Sequence, residues 1–206
     1  MTAILFDLDR TLVDVQSFTD YRAALLDLKA LVGSHPERSM PATGWSSETV
    51  ACMAILYELA GTDLWEEASR LVESHELAAV PVSSPMPGLE LVDQVVSRYP
   101  TAVVTLLGRS ATDAVLELHR VPIPVRVARR VDLRPKPAPD QLLEACRLLG
   151  AEPTTAIMIG DSTWDHQAAV AAGMGFIGVT NRGPSEFPPD ATTAPDLASA
   201  VRRVLT

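Results

Sequence analysis

Four short apolar runs that each stop at a polar residue constrain this chain more than any other feature. Residues 3–7 (Ala-Ile-Leu-Phe-Asp) and 156–161 (Ala-Ile-Met-Ile-Gly-Asp) stop at acids. Residues 102–105 (Ala-Val-Val-Thr) and 176–180 (Phe-Ile-Gly-Val-Thr) stop at hydroxyls. Runs so short and so continuously apolar suit strands buried on both faces of a parallel sheet. Segments of helical period lie between them. Leu89, Val92, Val95 and Val96 share one face of a helix over Leu89–Tyr99. Ala111–His119 and Pro139–Leu149 read similarly, the second with a proline at its start and Gly150 just past its end. Strands alternating with helices imply an α/β fold, a parallel sheet covered on both faces. Ligands of such sheets sit beyond the C-terminal ends of the strands, so the polar residues that end the runs are expected to converge on one crevice.

Residues 15–82 break the alternation. Helical periodicity runs through Tyr21–Leu31, Glu48–Leu59 and Leu64–Leu77, with Gly/Ser/Pro-rich connections around 33–46 and at Gly61. No strand-like run occurs there, so this segment reads as a helical insertion placed directly after the first strand. The division expected is an α/β core from 1–14 and 83–206 and a helical module at 15–82. Residues 183–195 read as a loop before a short final helix.

Composition narrows the function classes. A chain of 206 residues suffices for one sizeable core with an appendage. Its net charge of −9 argues against a protein that coats nucleic acid. No apolar stretch reaches the ~18 residues of a membrane-spanning helix. The apolar run at Ile4–Phe6 is too short for a signal peptide and is interrupted by Asp7 and Asp9, so a cytoplasmic protein is expected. Cys52 and Cys146 lack metal-type spacing and read as buried thiols. Of the 17 basic residues only Lys29 and Lys136 are lysines, which makes the setting of each worth asking about.

The first run leads into Asp7-Leu8-Asp9-Arg10-Thr11-Leu12. Two unpaired acids are costly to bury inside a covered sheet, and better placed where the strand turns into the crevice. A carboxylate there can attack phosphorus to give an aspartyl-phosphate. A second carboxylic acid two residues on can protonate the leaving oxygen and then activate water. The chain supplies what else this chemistry needs. Thr105 offers a hydroxyl and a backbone N–H for a phosphoryl oxygen. Lys136, in Arg-Pro-Lys-Pro-Ala-Pro, offers a point charge between two prolines that restrict its backbone. Gly160-Asp161-Ser162-Thr163-Trp164-Asp165 offers two more acids at a strand-to-helix turn, oxygen ligands of the kind Mg²⁺ prefers.

These segments, in this order, resemble the four motifs of the haloacid dehalogenase-like superfamily. Asp7, Asp9 and Thr11 match the first, Thr105 the second, Lys136 the third, and Gly160-Asp161 with Asp165 the fourth. The insertion resembles the C1 cap of phosphoglycolate phosphatase-like members. The resemblance implies a Rossmann-like core with a helical cap and a Mg²⁺-dependent phosphatase acting on a small phosphorylated metabolite. It makes Asp7 nucleophile and metal ligand, and Asp9 the acid/base with its backbone carbonyl on the metal. Thr105, Leu106 and Lys136 bind the phosphoryl group, Asp161 ligates Mg²⁺, and Asp165 supports Lys136 or a metal-bound water. Two positions depart from the pattern: Arg10 stands where glycine is usual, and Leu106 where asparagine is common, so the contact at 106 falls to the backbone N–H.

Other readings share some of these residues. Dehalogenation has no need of Asp9 or a metal. A phosphonate-cleaving enzyme would use a cap lysine, for which Lys29 is available, but lacks an acid at the position of Asp9. A phosphomutase carries the same motifs and cap. A retired domain that only binds a ligand is suggested by Arg10 and Leu106 alone. Arg10 is open to either a solvent-facing or a substrate-facing role, and Arg109 to either an anion-attracting or a surface one. Trp164 and His166 adjoin the fourth motif, but packing and solvent exposure are the roles expected of them. Arg22, Arg38 and Trp45 are the expected sources of substrate selection from the insertion. A monomer or weak homodimer is expected, with neither nucleic acid nor membrane as partner.

Overall fold

A computed structural model describes residues 1–33 and 39–206. The strands are β1 (Ile4–Phe6), β2 (Val13–Asp14), β3 (Ser84–Pro85), β4 (Thr101–Val104), β5 (Val125–Val127), β6 (Ile157–Gly160), β7 (Gly175–Val179) and β8 (Thr193–Ala194). The α-helices are α1 (Tyr21–Val32), α2 (Ser47–Glu58), α3 (Trp65–Ala79), α4 (Val92–Val96), α5 (Arg109–Leu118), α6 (Asp140–Leu149), α7 (Thr163–Ala172) and α8 (Leu197–Leu205). Among the described residues, six strands form one parallel sheet in the order β5-β4-β1-β6-β7-β8.

Alternate residues of the central strands pack to opposite faces. Ile4, Phe6, Val103 and Ile159 join the layer that includes Val92, Val115 and Val201 of α4, α5 and α8. Leu5, Ala102, Val104 and Met158 join Leu142, Ala145 and Ala168 of α6 and α7. Both faces are therefore apolar, which is why these runs show no polar alternation. The four apolar runs of the sequence correspond to β1, β4, β6 and β7. The segment at 89–99 is shorter than its periodicity suggests: a 3₁₀ turn over Leu89–Leu91 precedes the brief α4. Pro100 follows directly, and the residue before a proline disfavours helical backbone. The segment at 183–195 is a loop that also contributes β8 to the sheet edge.

The insertion is helical, as its periodicity implies. α1 packs on both α2 and α3, around Tyr21, Leu28, Cys52, Leu56, Trp65 and Val72. Asp20 and Ser46 cap α1 and α2 by accepting the amides of Ala23 and Thr49. The segment leaves the core through β2 and returns through β3, and these two pair antiparallel, Asp14 opposite Ser84. Cys52 and Cys146 are buried free thiols. No helix among the described residues is long and apolar enough to cross a membrane.

Candidate active site

The C-terminal ends of β1, β4 and β6 deliver Asp7, Thr105 and Asp161, and the loop between β5 and α6 delivers Lys136. The Lys136 side chain is 2% exposed, with three protons for three acceptors: Asp7 Oδ1 at 2.7 Å, Asp165 Oδ1 at 2.5 Å and the Val104 carbonyl at 3.1 Å. Burial works against its charge, but the Asp165 and Asp7 carboxylates outweigh that and raise its pKa above the ordinary lysine range. Lys136 is thus held as a cation touching Asp7, while the other lysine, Lys29, lies exposed on α1.

Asp165 has two functions at once. Its Oδ1 takes Lys136, and its Oδ2 takes the Ser162 amide at 3.1 Å and hydroxyl at 2.6 Å. The Ser162 hydroxyl in turn accepts the Asp165 amide, so residues 162–165 form the capping box that starts α7. Gly160 makes room for this: a Cβ there would lie 2.5 Å from Asp165 Cγ.

Asp7 and Asp9 are both pushed up to about 7, chiefly by burial. Lys136 opposes the shift at Asp7, and the amides of Gln16 and Val15, each donating to Asp9 Oδ1 at 2.9 Å, oppose it at Asp9. Those amides lie where the chain leaves β2 for the insertion, so the orientation of Asp9 is set by that exit. Asp161 is held well above the usual carboxylate range by burial and by the neighbouring Asp7 and Asp165, with Arg10 opposing.

Four carboxylates thus face one buried ammonium and one partly exposed guanidinium, a balance that calls for another positive charge. Asp7, Asp161 and Asp165 each place an oxygen within 4.8 Å of the others. Both Asp165 oxygens are engaged, whereas Asp161 has only the Arg10 guanidinium at 3.7 Å and Asp7 Oδ2 no side-chain donor among the described residues. The Asp9 carbonyl takes no backbone hydrogen bond among the described residues. This all-oxygen set, with two carboxylates free to ligate, fits a divalent cation.

Thr105 is fully buried, and its amide differs from the expected role. It donates to the Val127 carbonyl at 3.0 Å, because β5 extends alongside at the sheet edge. The hydroxyl accepts the Leu107 amide at 3.2 Å and retains its own proton to donate. The Leu106 amide has no acceptor among the described residues and is the free backbone donor of this loop. Gln141, which the sequence reading passed over, donates to the Thr105 carbonyl at 2.9 Å and accepts the Lys136 amide at 3.3 Å, bridging the two segments. The Thr11 hydroxyl is buried with no partner among the described residues.

Asp7, Asp9, Thr105, Leu106 and Lys136 line a cavity of about 30 Å³, closed from the insertion by Tyr21, Trp45, Thr49 and Met53. The cavity holds one or two waters rather than a metabolite. A wider groove of about 450 Å³ adjoins it past Gln16, Tyr21, Trp45 and Thr49, carrying Arg10 and Arg22. Of the three selection residues expected from the insertion, Trp45 reaches the inner cavity, Arg22 lines only the outer groove, and Arg38 lies outside the described residues. Arg109 is 70% exposed and pairs with Asp113. Trp164 is buried, donating to the Pro41 carbonyl and packing on Trp45, and His166 packs against Phe176 and Phe187.

No curated protein matches the chain. Solved structures do, along nearly its whole length. A hydrolase from Pseudomonas syringae is 20% identical, with a TM-score of 0.72 over 99% of this chain and 98% of its own. CbbY from Rhodobacter sphaeroides in complex with phosphate is 20% identical, with a TM-score of 0.68 over 95% and 94%. A predicted phosphoglycolate phosphatase from Haemophilus somnus is 20% identical, with a TM-score of 0.63 over 98% and 97%. At these identities the likeness speaks for the fold. The family model described as haloacid dehalogenase-like hydrolase goes further, matching residues 4–179 and so taking in every acid, hydroxyl and lysine of the crevice together with the helices inserted behind Asp7. With most of its length inside that model, the chain belongs to the haloacid dehalogenase-like hydrolases.

Proposed function

We propose that this protein is a Mg²⁺-dependent phosphatase that hydrolyses the phosphate monoester of a small metabolite through an aspartyl-phosphate on Asp7. The observation that carries the reading is the Lys136 ammonium, buried and 2.7 Å from Asp7 Oδ1, in a cavity also lined by Asp9, Thr105 and Leu106. CbbY, which shares the fold, was solved with phosphate.

An oxygen of Asp7 attacks phosphorus, and the bond from phosphorus to the ester oxygen breaks. Asp9, whose pKa of about 7 allows it to carry a proton at neutral pH, gives that proton to the leaving oxygen. Now a carboxylate, Asp9 takes a proton from water as the water oxygen attacks the phosphoryl group. Phosphate departs, and Asp7 and the protonated Asp9 are restored. Lys136, the Thr105 hydroxyl and the Leu106 amide hold the phosphoryl oxygens throughout. Asp7, Asp161 and the Asp9 carbonyl are the groups that would hold Mg²⁺, which supplies positive charge against the acids and the substrate. The net charge of −9, and a groove of about 450 Å³ beside the inner cavity with room for a small leaving group, favour a small phosphorylated metabolite over nucleic acid. The reading takes the enzyme as cytoplasmic, a monomer or weak homodimer, with residues 15–82 acting as its cap.

The test is phosphate release from a panel of phosphorylated metabolites and p-nitrophenyl phosphate, with Mg²⁺ or with EDTA, by wild type and Asp7→Asn. Mg²⁺-dependent release that falls by several orders of magnitude in Asp7→Asn is the expected result. Equal release by the variant, or by the metal-stripped enzyme, would sink the reading.

A further inference from the structure

The most thoroughly bonded buried charge outside the crevice is Arg129, just beyond β5. Its side chain is 1% exposed, and its partner Glu76, on α3 of the insertion, is 0% exposed. All five guanidinium donors are used. Nε donates to Ser69 Oγ at 3.0 Å. Nη1 donates to Glu76 Oε1 at 2.9 Å and to the Leu106 carbonyl at 2.6 Å. Nη2 donates to the Ser69 carbonyl at 3.0 Å and to Glu76 Oε2 at 3.4 Å. Glu76 Oε2 also accepts the Gly108 amide at 2.8 Å. One turn away, Glu73 Oε1 accepts the amides of Ser110, at 2.5 Å, and Ala111, at 3.3 Å.

The Arg129 and Glu76 contacts meet on one loop, Thr105–Gly108, which carries the free Leu106 amide and the Thr105 hydroxyl into the cavity, and the Glu73 contacts hold the first turn of α5 that follows it. The loop is held on one side by the strand β5 and its extension, where the Arg129 amide donates to the Leu107 carbonyl at 3.0 Å. It is held on the other side by α3. Gly108 is the N-cap of α5 and has no side chain with which to cap it. Glu73 and Glu76 supply the missing acceptors from another element. A Cβ at Gly108 would lie 2.5 Å from Glu73 Cδ, so the absent side chain is what lets the carboxylate approach. The Leu106 N–H shares a peptide plane with the Thr105 carbonyl, which Gln141 holds, and Arg129 fixes the next plane, that of the Leu107 N–H, through the Leu106 carbonyl.

We propose that Arg129 and Glu76 are positioning residues: a buried ion pair through which the inserted helix α3 fixes the loop that binds the phosphoryl group. The proposal rests on the phosphatase reading for the word phosphoryl, but the fixing of the loop stands apart from it. α3 is then mechanically part of the core, and loss of the pair loosens the Leu106–Gly108 amides before it unfolds the protein.

The test uses the full chain carrying Arg129→Met and Glu76→Gln together. Removing both charges avoids stranding one in the interior, and the side-chain carbonyl that Glu76→Gln retains still offers an acceptor to the Gly108 amide. Ser69→Ala is the milder companion, removing one acceptor while the ion pair stays. Three quantities are read: hydrogen exchange of the Leu107 and Gly108 amides against Val103 and Ile159, the inhibition constant of inorganic phosphate, and kcat and KM on p-nitrophenyl phosphate. The double variant should exchange the loop amides about tenfold faster with the strand amides unchanged, and weaken phosphate about tenfold. Ser69→Ala should shift both in the same direction by about twofold to threefold. Loop exchange and phosphate inhibition unchanged in the double variant overturn the proposal; if that variant does not fold, the same result in Ser69→Ala does. Should wild type release phosphate from no ester, the phosphatase reading fails, and loop exchange alone decides whether the pair fixes the loop.

Discussion

Asp165→Asn is the substitution whose cost the structure defines most sharply. Both carboxylate oxygens act as acceptors, Oδ1 for the Lys136 ammonium and Oδ2 for the Ser162 amide and hydroxyl, and the side chain is 1% exposed. Asparagine has the same shape and only one acceptor. Turned one way, its amide group faces the ammonium. Turned the other way, it faces the Ser162 N–H, and although the Ser162 hydroxyl can rotate to accept, the N–H cannot. The second arrangement costs less. It gives up a capping interaction worth ~1 kcal/mol and weakens a charged hydrogen bond worth roughly 1.5–3 kcal/mol. The total, ~3 kcal/mol, sits at the lower end of the range for breaking a buried ion pair, because Asp7 remains as a partner of Lys136. At ~2–4 °C per kcal/mol for a chain of this size, the melting temperature should fall by roughly 6–12 °C. Turnover should fall by about tenfold to a hundredfold, since Lys136 keeps only a neutral acceptor at position 165 and is held less firmly against Asp7. Thermal unfolding by circular dichroism and p-nitrophenyl phosphate kinetics read the two effects. A variant that melts within about 2 °C of wild type would show that the double engagement of Asp165 contributes little.

Three further outcomes are expected. Asp7 and Asp9 bind protons in the native state up to a pKa of about 7, whereas the unfolded chain releases them near 3.8, so metal-free protein should lose stability as pH rises through that window. Mg²⁺ should therefore raise the melting temperature more at pH 8 than at pH 5; an equal gain at both would refute the electrostatic account of the acid cluster. Asp9→Asn should slow hydrolysis of alkyl phosphates much more than of p-nitrophenyl phosphate, whose leaving group needs no proton; equal losses would remove Asp9 from the acid/base role. Arg10 adopts φ 60°, a left-handed conformation that costs a non-glycine residue ~1 kcal/mol, and its guanidinium lies 3.7 Å from Asp161. Arg10→Gly should relieve the backbone and tighten Mg²⁺ binding several-fold by calorimetry, an effect of roughly 1 kcal/mol after allowance for the exposure of the arginine. Unchanged affinity would mean that Arg10 does not compete for Asp161.

The central strands were legible because β1, β4, β6 and β7 are buried on both faces and so read as unbroken apolar runs. β5 was not, since Val125-Arg126-Val127 is three residues long with an arginine in the middle and prolines at 122 and 124. What makes it a strand is the unpaired edge of β4, a tertiary fact absent from its own composition. The pairing of β2 with β3 joins segments on either side of the whole insertion, and no local pattern encodes it. At the site, Asp7 stood out as an acid ending an apolar run, Lys136 as one of only two lysines and set between prolines, and Asp165 as a second acid in the turn after the run at 156–161. The support residues did not, because each sits within a helix or loop whose period explains it. Glu76 could have been found: it shares the helical face of Trp65, Ala68, Val72 and Ala79, all buried, and an acid on an apolar face requires a partner. Gln141 gives the same signal beside Leu142 and Ala145 on α6. Arg129 gives none, and only the fold reveals it.

The short ribbon of β2 and β3 bears on how the chain reaches this structure. The first core strand must find β4, and Phe6 pairs with Val103 across the entire insertion. Closing a loop of about 100 residues costs more entropy than closing one of about 30, the path left once Asp14 meets Ser84, and the difference is on the order of 1 kcal/mol. An insertion whose helices assemble first, bringing its two ends together, shortens the search that β1 has to make. The helices that cover Asp7 in the finished protein would then also be what carries its strand to the sheet.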